Sequence, residues 1–92
     1  MEPERMIQIE QNIVEILEAR RLELKMSVEA LGKLVYPNDA SPYMRIQAFR
    51  KPQSNGKKRR LPVGDFVSMC AALGLDHVRV LIEAAEKKTV DA

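Results

Sequence analysis

Between Ala40 and Gly64 the chain carries seven bases and no acid: Arg45, Arg50, Lys51, Lys57, Lys58, Arg59 and Arg60. Residues 1–39 hold eight acids against five bases, and residues 65–92 hold five against three. A strongly positive segment therefore lies between two negative flanks, although the formal charge of the whole chain is only +2. Such a segment is an electrostatic footprint for a polyanion, and its alternative is a solvated basic loop. The inventory for catalysis is thin. His77 is the only histidine and Cys70 the only cysteine, which cannot supply a zinc site of ordinary type or a nucleophile–base set away from His77. No Gly-rich phosphate loop occurs. Glu10, Glu15 and Glu18 read as the solvated face of a helix rather than as paired catalytic acids. The chain reads as a binding protein and not an enzyme, with no cofactor and no metal.

The elements that must position these residues follow from apolar periodicity. Met6, Ile9, Ile13, Ile16, Leu17, Arg20 and Leu24 recur at three- and four-residue steps, predicting a first helix over residues 6–24. Ser27 is a good N-cap and Glu29 suits the first turn of a second helix over 28–35, with Val28, Leu31, Leu34 and Val35 as its stripe. Residues 36–40 are a turn closed by Pro37, Asn38 and Asp39. Ser41 and Pro42 then read as N-cap and first position of a third helix, 42–51, anchored by Ile46 and Phe49. Pro52 closes it. Asn55 and Gly56 carry a hairpin signal without alternating apolar flanks, which leaves the 52–61 segment a basic loop with a β-wing as its alternative. Pro62 opens a fourth helix with Val63, Phe66, Val67, Cys70 and Leu73 inward and Met69 at the edge. Gly74 and Leu75 stop it. Asp76 caps a fifth, in which Val78, Leu81, Ile82 and Ala85 read as the core stripe and Val80 and Ala84 lie off it.

At 92 residues, 46% hydrophobic and only 4% aromatic, the chain suits one all-α domain with an aliphatic core. Residues 1–5 and 88–92 read as frayed tails. One cysteine permits no internal disulfide, no apolar run approaches a membrane span, and the start of the chain does not read as a signal peptide. The expected setting is the cytoplasm.

The order of these five elements carries a resemblance. From Ser27 the chain reads Ser-Val-Glu-Ala-Leu-Gly, then a turn and the Ile46/Phe49 helix. A basic loop follows, and then Val63-x-x-Phe66-Val67-x-Met69-x-x-x-Leu73-Gly74-Leu75. Over residues 9 to about 82 this resembles the lambda-repressor-like family of Cro and phage-repressor DNA-binding domains, also called XRE-type. The resemblance implies a compact five-helix bundle with a helix-turn-helix at helices 2 and 3, binding double-stranded DNA. It departs from the family pattern in a longer turn without Gly, in Val28 where a phosphate-contacting Gln is common, and in a longer and more basic loop after helix 3.

A helix of this kind enters the major groove, with its N-terminal residues at base edges. Tyr43, Met44, Arg45, Gln47 and Ala48 are the base-reading candidates. Gln47 can pair bidentately with adenine, and Met44 and Ala48 can meet a thymine methyl. Arg45 and Arg50 can read guanine or clamp phosphate. Tyr43 has the alternative of packing half on helix 2, and Met44 that of a core residue. Phosphate candidates are Ser27, Ser41, Arg50, Lys51, Lys57, Lys58, Arg59 and Arg60. A bacterial or phage transcriptional regulator, most simply a repressor, is the leading expectation. The alternatives are an antitoxin-type protein-interaction module and a nonspecific nucleic-acid binder. A homodimer through the helix 5 region, formed alone or on DNA, is expected with Val80 near its centre. No membrane and no small-molecule ligand is implied.

Overall fold

The computed structural model describes residues 2–50 and 60–87. Those residues fold into five helices and no strand: α1 (Pro3–Glu23), α2 (Val28–Val35), α3 (Pro42–Arg50), α4 (Val63–Ala72) and α5 (His77–Glu86). No helix among them is long and apolar enough to cross a membrane. The chain-end signals act as local chemistry dictates. Pro3 begins α1 because a residue without an N–H loses nothing in the first turn, so this helix starts earlier than the apolar stripe suggests. The Ser27 hydroxyl accepts from the Ala30 N–H at 3.0 Å, and the Asp76 carboxylate accepts from Val78 at 2.9 Å. Gly74 ends α4 at φ +70, with its N–H donating to Ala71 and that of Leu75 to Cys70. The same double closure ends α1 around Lys25, which takes φ 56 despite its side chain.

The core gathers Ile13 and Leu17 of α1, Leu31 of α2, Ile46 of α3, Phe66, Met69 and Cys70 of α4, Leu73 just after it, and Val80 and Ala84 of α5. Phe49 packs half-buried against it. Burial, with the Asp76 carboxylate adding to it, pushes the Cys70 thiol up to about 11, as suits an inert packing residue. Two polar side chains are buried as well. Asn12 donates to the Ala84 carbonyl at 3.0 Å, fixing α5 across α1. Arg21 donates to the Met26 carbonyl at 2.7 Å and to Glu18, fixing the α1–α2 link. Arg20, placed on the apolar stripe by its spacing, crosses to the end of α4 and donates to the Leu73 carbonyl at 3.0 Å.

The structure corrects several burial expectations. Met69 is buried, whereas Val63 is 75% exposed at the first turn of α4. Leu34 and Leu24 are also exposed. The largest correction is α5. Val80 and Ala84 are buried at 3% and 0%, while Val78, Leu81 and Ile82 are 53%, 47% and 52% exposed and Ala85 faces solvent too. Val80 is therefore a core residue and not the centre of an interface. Two apolar stripes share this helix, and Asn12 with α1 accepts the narrower one because Ala84 lets the backbones come close.

Candidate nucleic-acid interface

The segment that carries the charge is built on α3, and α3 is held by α2. Gly32 lies in the middle of α2 and faces the first residue of α3. A Cβ added at Gly32 would sit 2.7 Å from the carbonyl carbon and oxygen of Pro42, inside the closest approach of real atoms. Glycine is needed here for proximity rather than for an unusual φ. The Tyr36 N–H donates back to the Gly32 carbonyl at 2.7 Å, so the exit from α2 starts on the same residue. In the turn, the Asp39 carboxylate accepts the Ser41 N–H at 2.8 Å, and the Ser41 carbonyl accepts from Met44 and Arg45 as α3 begins. Ile46, 2% exposed, pins the middle of α3 to the core.

With Ile46 inward, 3.6 residues per turn puts Met44 on the opposite side of α3, with Tyr43 and Arg45 on its two flanks. Tyr43 and Met44 are 43% and 61% exposed, Arg45 is exposed, and no acid lies in that turn. These three base-reading candidates are all accessible. Gln47 and Ala48 are half-buried. The Gln47 amide donates to the Tyr43 hydroxyl at 3.0 Å, and its oxygen accepts from Arg50. Met44 is on the surface rather than in the core, and Tyr43 is exposed and hydrogen-bonded along its own helix.

Each described arginine of the basic segment has a carboxylate partner. Arg45 reaches Asp39 at 3.4 Å, and its guanidinium lies 4.5 Å from the centre of the Tyr36 ring. Arg50 meets Glu18 of α1 at 2.5 Å. Arg60 grips Glu10 of α1 through two nitrogens, at 2.6 Å for the closer, and the Leu61 N–H joins the same carboxylate at 3.0 Å. The Arg60 contact holds the Glu10 carboxyl below its ordinary range against the opposing effect of burial, helped by Leu61. For Glu18 burial is the largest influence and pushes upward, but Arg21 and Arg50 together outweigh it and the net shift is downward. Arg50 and Arg60, placed among the phosphate candidates, thus also tie the basic segment to α1. The Ser27 hydroxyl is engaged as the α2 cap, and Ser41 is exposed. Lys51, Lys57, Lys58, Arg59 and the wing alternative lie outside the described residues.

Sequence reasoning missed two features. The Tyr36 hydroxyl is buried with no hydrogen-bond partner among the described residues. Burial, reinforced by the Asp65 carboxylate, pushes this phenol up to about 12. The second feature is an apolar groove of about 430 Å³ walled by Met6, Ile9, Ile13, Phe66 and Leu81, with the Glu10–Arg60 pair and His77 on its edges. His77 meets Phe66 edge-on, with ring centroids 6.3 Å apart. The groove escapes a linear reading because its walls come from α1, α4 and α5. No family model matches the chain, and no curated protein or solved structure matches it either.

Proposed function

We propose that the chain binds double-stranded DNA in a sequence-dependent manner as a helix-turn-helix protein of the lambda-repressor-like kind, with α2 and α3 as the motif and α3 in the major groove. One observation carries this reading. The first turn of α3 presents Tyr43, Met44 and Arg45 outward without an acid, inside a segment of seven bases. The Gly32–Pro42 contact fixes that turn relative to α2. A helix offered this way suits a groove about 12 Å wide. Tyr43, Met44, Arg45 and Gln47 are the reading set, and Lys51, Lys57, Lys58 and Arg59 supply charge without sequence preference. The biological role that fits is transcriptional control.

Selection from a pool of random duplexes tests this directly. An enriched motif is expected, together with a loss of about tenfold to a hundredfold on that motif for Gln47→Ala and relaxed preference at one position. Lys58→Ala is expected to weaken all duplexes alike and to flatten the salt dependence. A pool that emerges unenriched would remove the sequence-reading claim, and binding lost equally on every duplex in Gln47→Ala would remove α3 as the reader.

A further inference from the structure

Three exposed apolar side chains from three helices converge on one place. Met6 of α1, Val63 of α4 and Leu81 of α5 are 38%, 75% and 47% exposed, and all of them wall the 430 Å³ groove together with the buried Ile13 and Phe66. A concave site of about 300–1,000 Å³, apolar on its walls and with a few polar groups at its edge, is the usual form of a small-molecule site. Exposed apolar side chains gathered in this way mark a surface that something covers.

The polar edge of the groove says what that molecule carries. Arg60 lines it and grips Glu10 side-on, with Nε donating at 2.9 and 3.0 Å and Nη2 at 2.6 Å. A guanidinium holds five N–H donors in a planar fork, and side-on pairing occupies one on Nε and one on Nη2. The end-on edge, formed by Nη1 and the second N–H of Nη2, has no hydrogen-bond partner among the described residues, and the side chain is 58% exposed. That edge offers two parallel N–H groups, the arrangement that takes a carboxylate through both oxygens. Glu10 already fixes the guanidinium, so little side-chain freedom is lost when a second carboxylate arrives. The Leu61 N–H shares the Glu10 carboxylate with Arg60. Arg60 also closes a run of four consecutive bases, Lys57, Lys58, Arg59 and Arg60, so the charge at this edge favours an anion.

We propose that the groove binds an amphiphilic monocarboxylate, a straight-chain acid of medium length, with its hydrocarbon tail between α1, α4 and α5 and its carboxylate on the end-on edge of Arg60. One such molecule answers both features: the tail covers Met6, Val63 and Leu81, and the head supplies the acceptors that the guanidinium lacks. The site uses none of Tyr43, Met44, Arg45 or Gln47 and holds whatever α3 binds.

Decanoate below its micelle-forming concentration is the probe, with decanol as the same tail without charge and acetate as the head without a tail. Amide shifts in two-dimensional NMR spectra of the full chain should saturate with decanoate at a dissociation constant of about 10 μM to 1 mM and map to Ile9, Ile13, Phe66 and Leu81. Decanol should bind about tenfold more weakly, and acetate should not saturate. This contrast is read on the wild type and needs no variant. Arg60→Gln should weaken decanoate about tenfold and leave decanol unchanged, a split that a general loosening of the groove does not produce. Arg60→Lys keeps the charge without the fork and should fall between. Leu81→Gln should weaken decanoate and decanol alike, and circular dichroism should show all three variants folded. Equal binding of decanoate and decanol, an Arg60→Gln chain that binds decanoate like wild type, or shifts confined to α3 would each overturn the proposal. So would capture on decanoate-containing vesicles without saturable binding of the dissolved acid, which would make the groove a lipid-surface contact. A decanoate affinity that falls as protein concentration rises would give the groove to a second copy instead. All of this is measured without DNA, so a chain that binds decanoate as described yet enriches no duplex would count against the DNA reading alone.

Discussion

α3 and α5 are helices of similar length that give the core very little: Ile46 from α3, Val80 and Ala84 from α5. What they leave outside differs in kind. α3 shows solvent Tyr43, Met44 and Arg45, half-buries Gln47, and has its charge managed by carboxylates from the turn and α1. α5 shows Val78, Leu81 and Ile82, side chains as apolar as those it buries. A helix with its apolar anchors on one side can face inward in only one way. A helix with apolar residues on two sides needs its neighbours to choose, and the choice here goes to the smaller side chains because α1 presents Asn12 to the Ala84 carbonyl at close range.

The sharpest way to break this comparison is to place a charge on each side of α5. Val80→Asp should cost about 4 kcal/mol or more, since a carboxylate there has no partner and no water. Ile82→Asp should change monomer stability by about 0.5 kcal/mol or less. Chemical denaturation of both variants checks this. Equal losses, or a larger loss at Ile82, would reverse the assignment of the two faces.

For α3 the decisive contact is glycine against backbone. Gly32→Ala gains about 1 kcal/mol in helix propensity but must push the Pro42 carbonyl away. The net effect should be a loss of about 1–3 kcal/mol, the usual result of overfilling a packed site. DNA affinity should fall further than stability explains, because α3 leaves its angle to α2. A more stable variant with unchanged binding would show that the angle is set elsewhere.

The smallest expected effect separates α3's charge from its packing. Glu18→Gln removes the anion between Arg21 and Arg50 and should cost about 1 kcal/mol at neutral pH. The sign with pH follows from a carboxyl lowered in the folded state. Its contribution is complete above the ordinary value of 4.5 and is lost as pH falls through the lower folded value. Denaturation curves should therefore show the gap between wild type and variant closing below about pH 4.5. A gap constant from neutral to strongly acid pH would assign Glu18 a packing role only.

Much of this architecture is legible in the chain because its signals are local. Ser27, Pro42, Gly74 and Asp76 act within a few residues, and each helix end lies near its signal. The outward set on α3 is legible for the same reason, since Ile46 and Phe49, three residues apart, fix the helix's rotation. The rest depends on distant partners. Asn12 and Arg21 are buried polar residues inside an otherwise amphipathic pattern. The Ala84 carbonyl that satisfies Asn12 is 72 residues away, and the role of Arg21 needs the path of the chain after α1. Arg50 and Arg60 read as free positive charge because their carboxylate partners are 32 and 50 positions earlier in the chain. The 430 Å³ groove assembles only when three helices meet.

The pairing of Arg45, Arg50 and Arg60 with Asp39, Glu18 and Glu10 alters what a salt titration of the protein measures. An unpaired lysine that meets a phosphate releases the counterion condensed there, and the slope of affinity against salt counts it. An arginine that leaves a carboxylate for a phosphate releases the same counterion but strips its old partner, which is then only screened by the surrounding salt. On the proposed reading, these three contacts would therefore still register in the ionic-strength dependence, while the broken ion pair is subtracted from the affinity each adds. The slope would then count these arginines although each strengthens binding less than an unpaired lysine does.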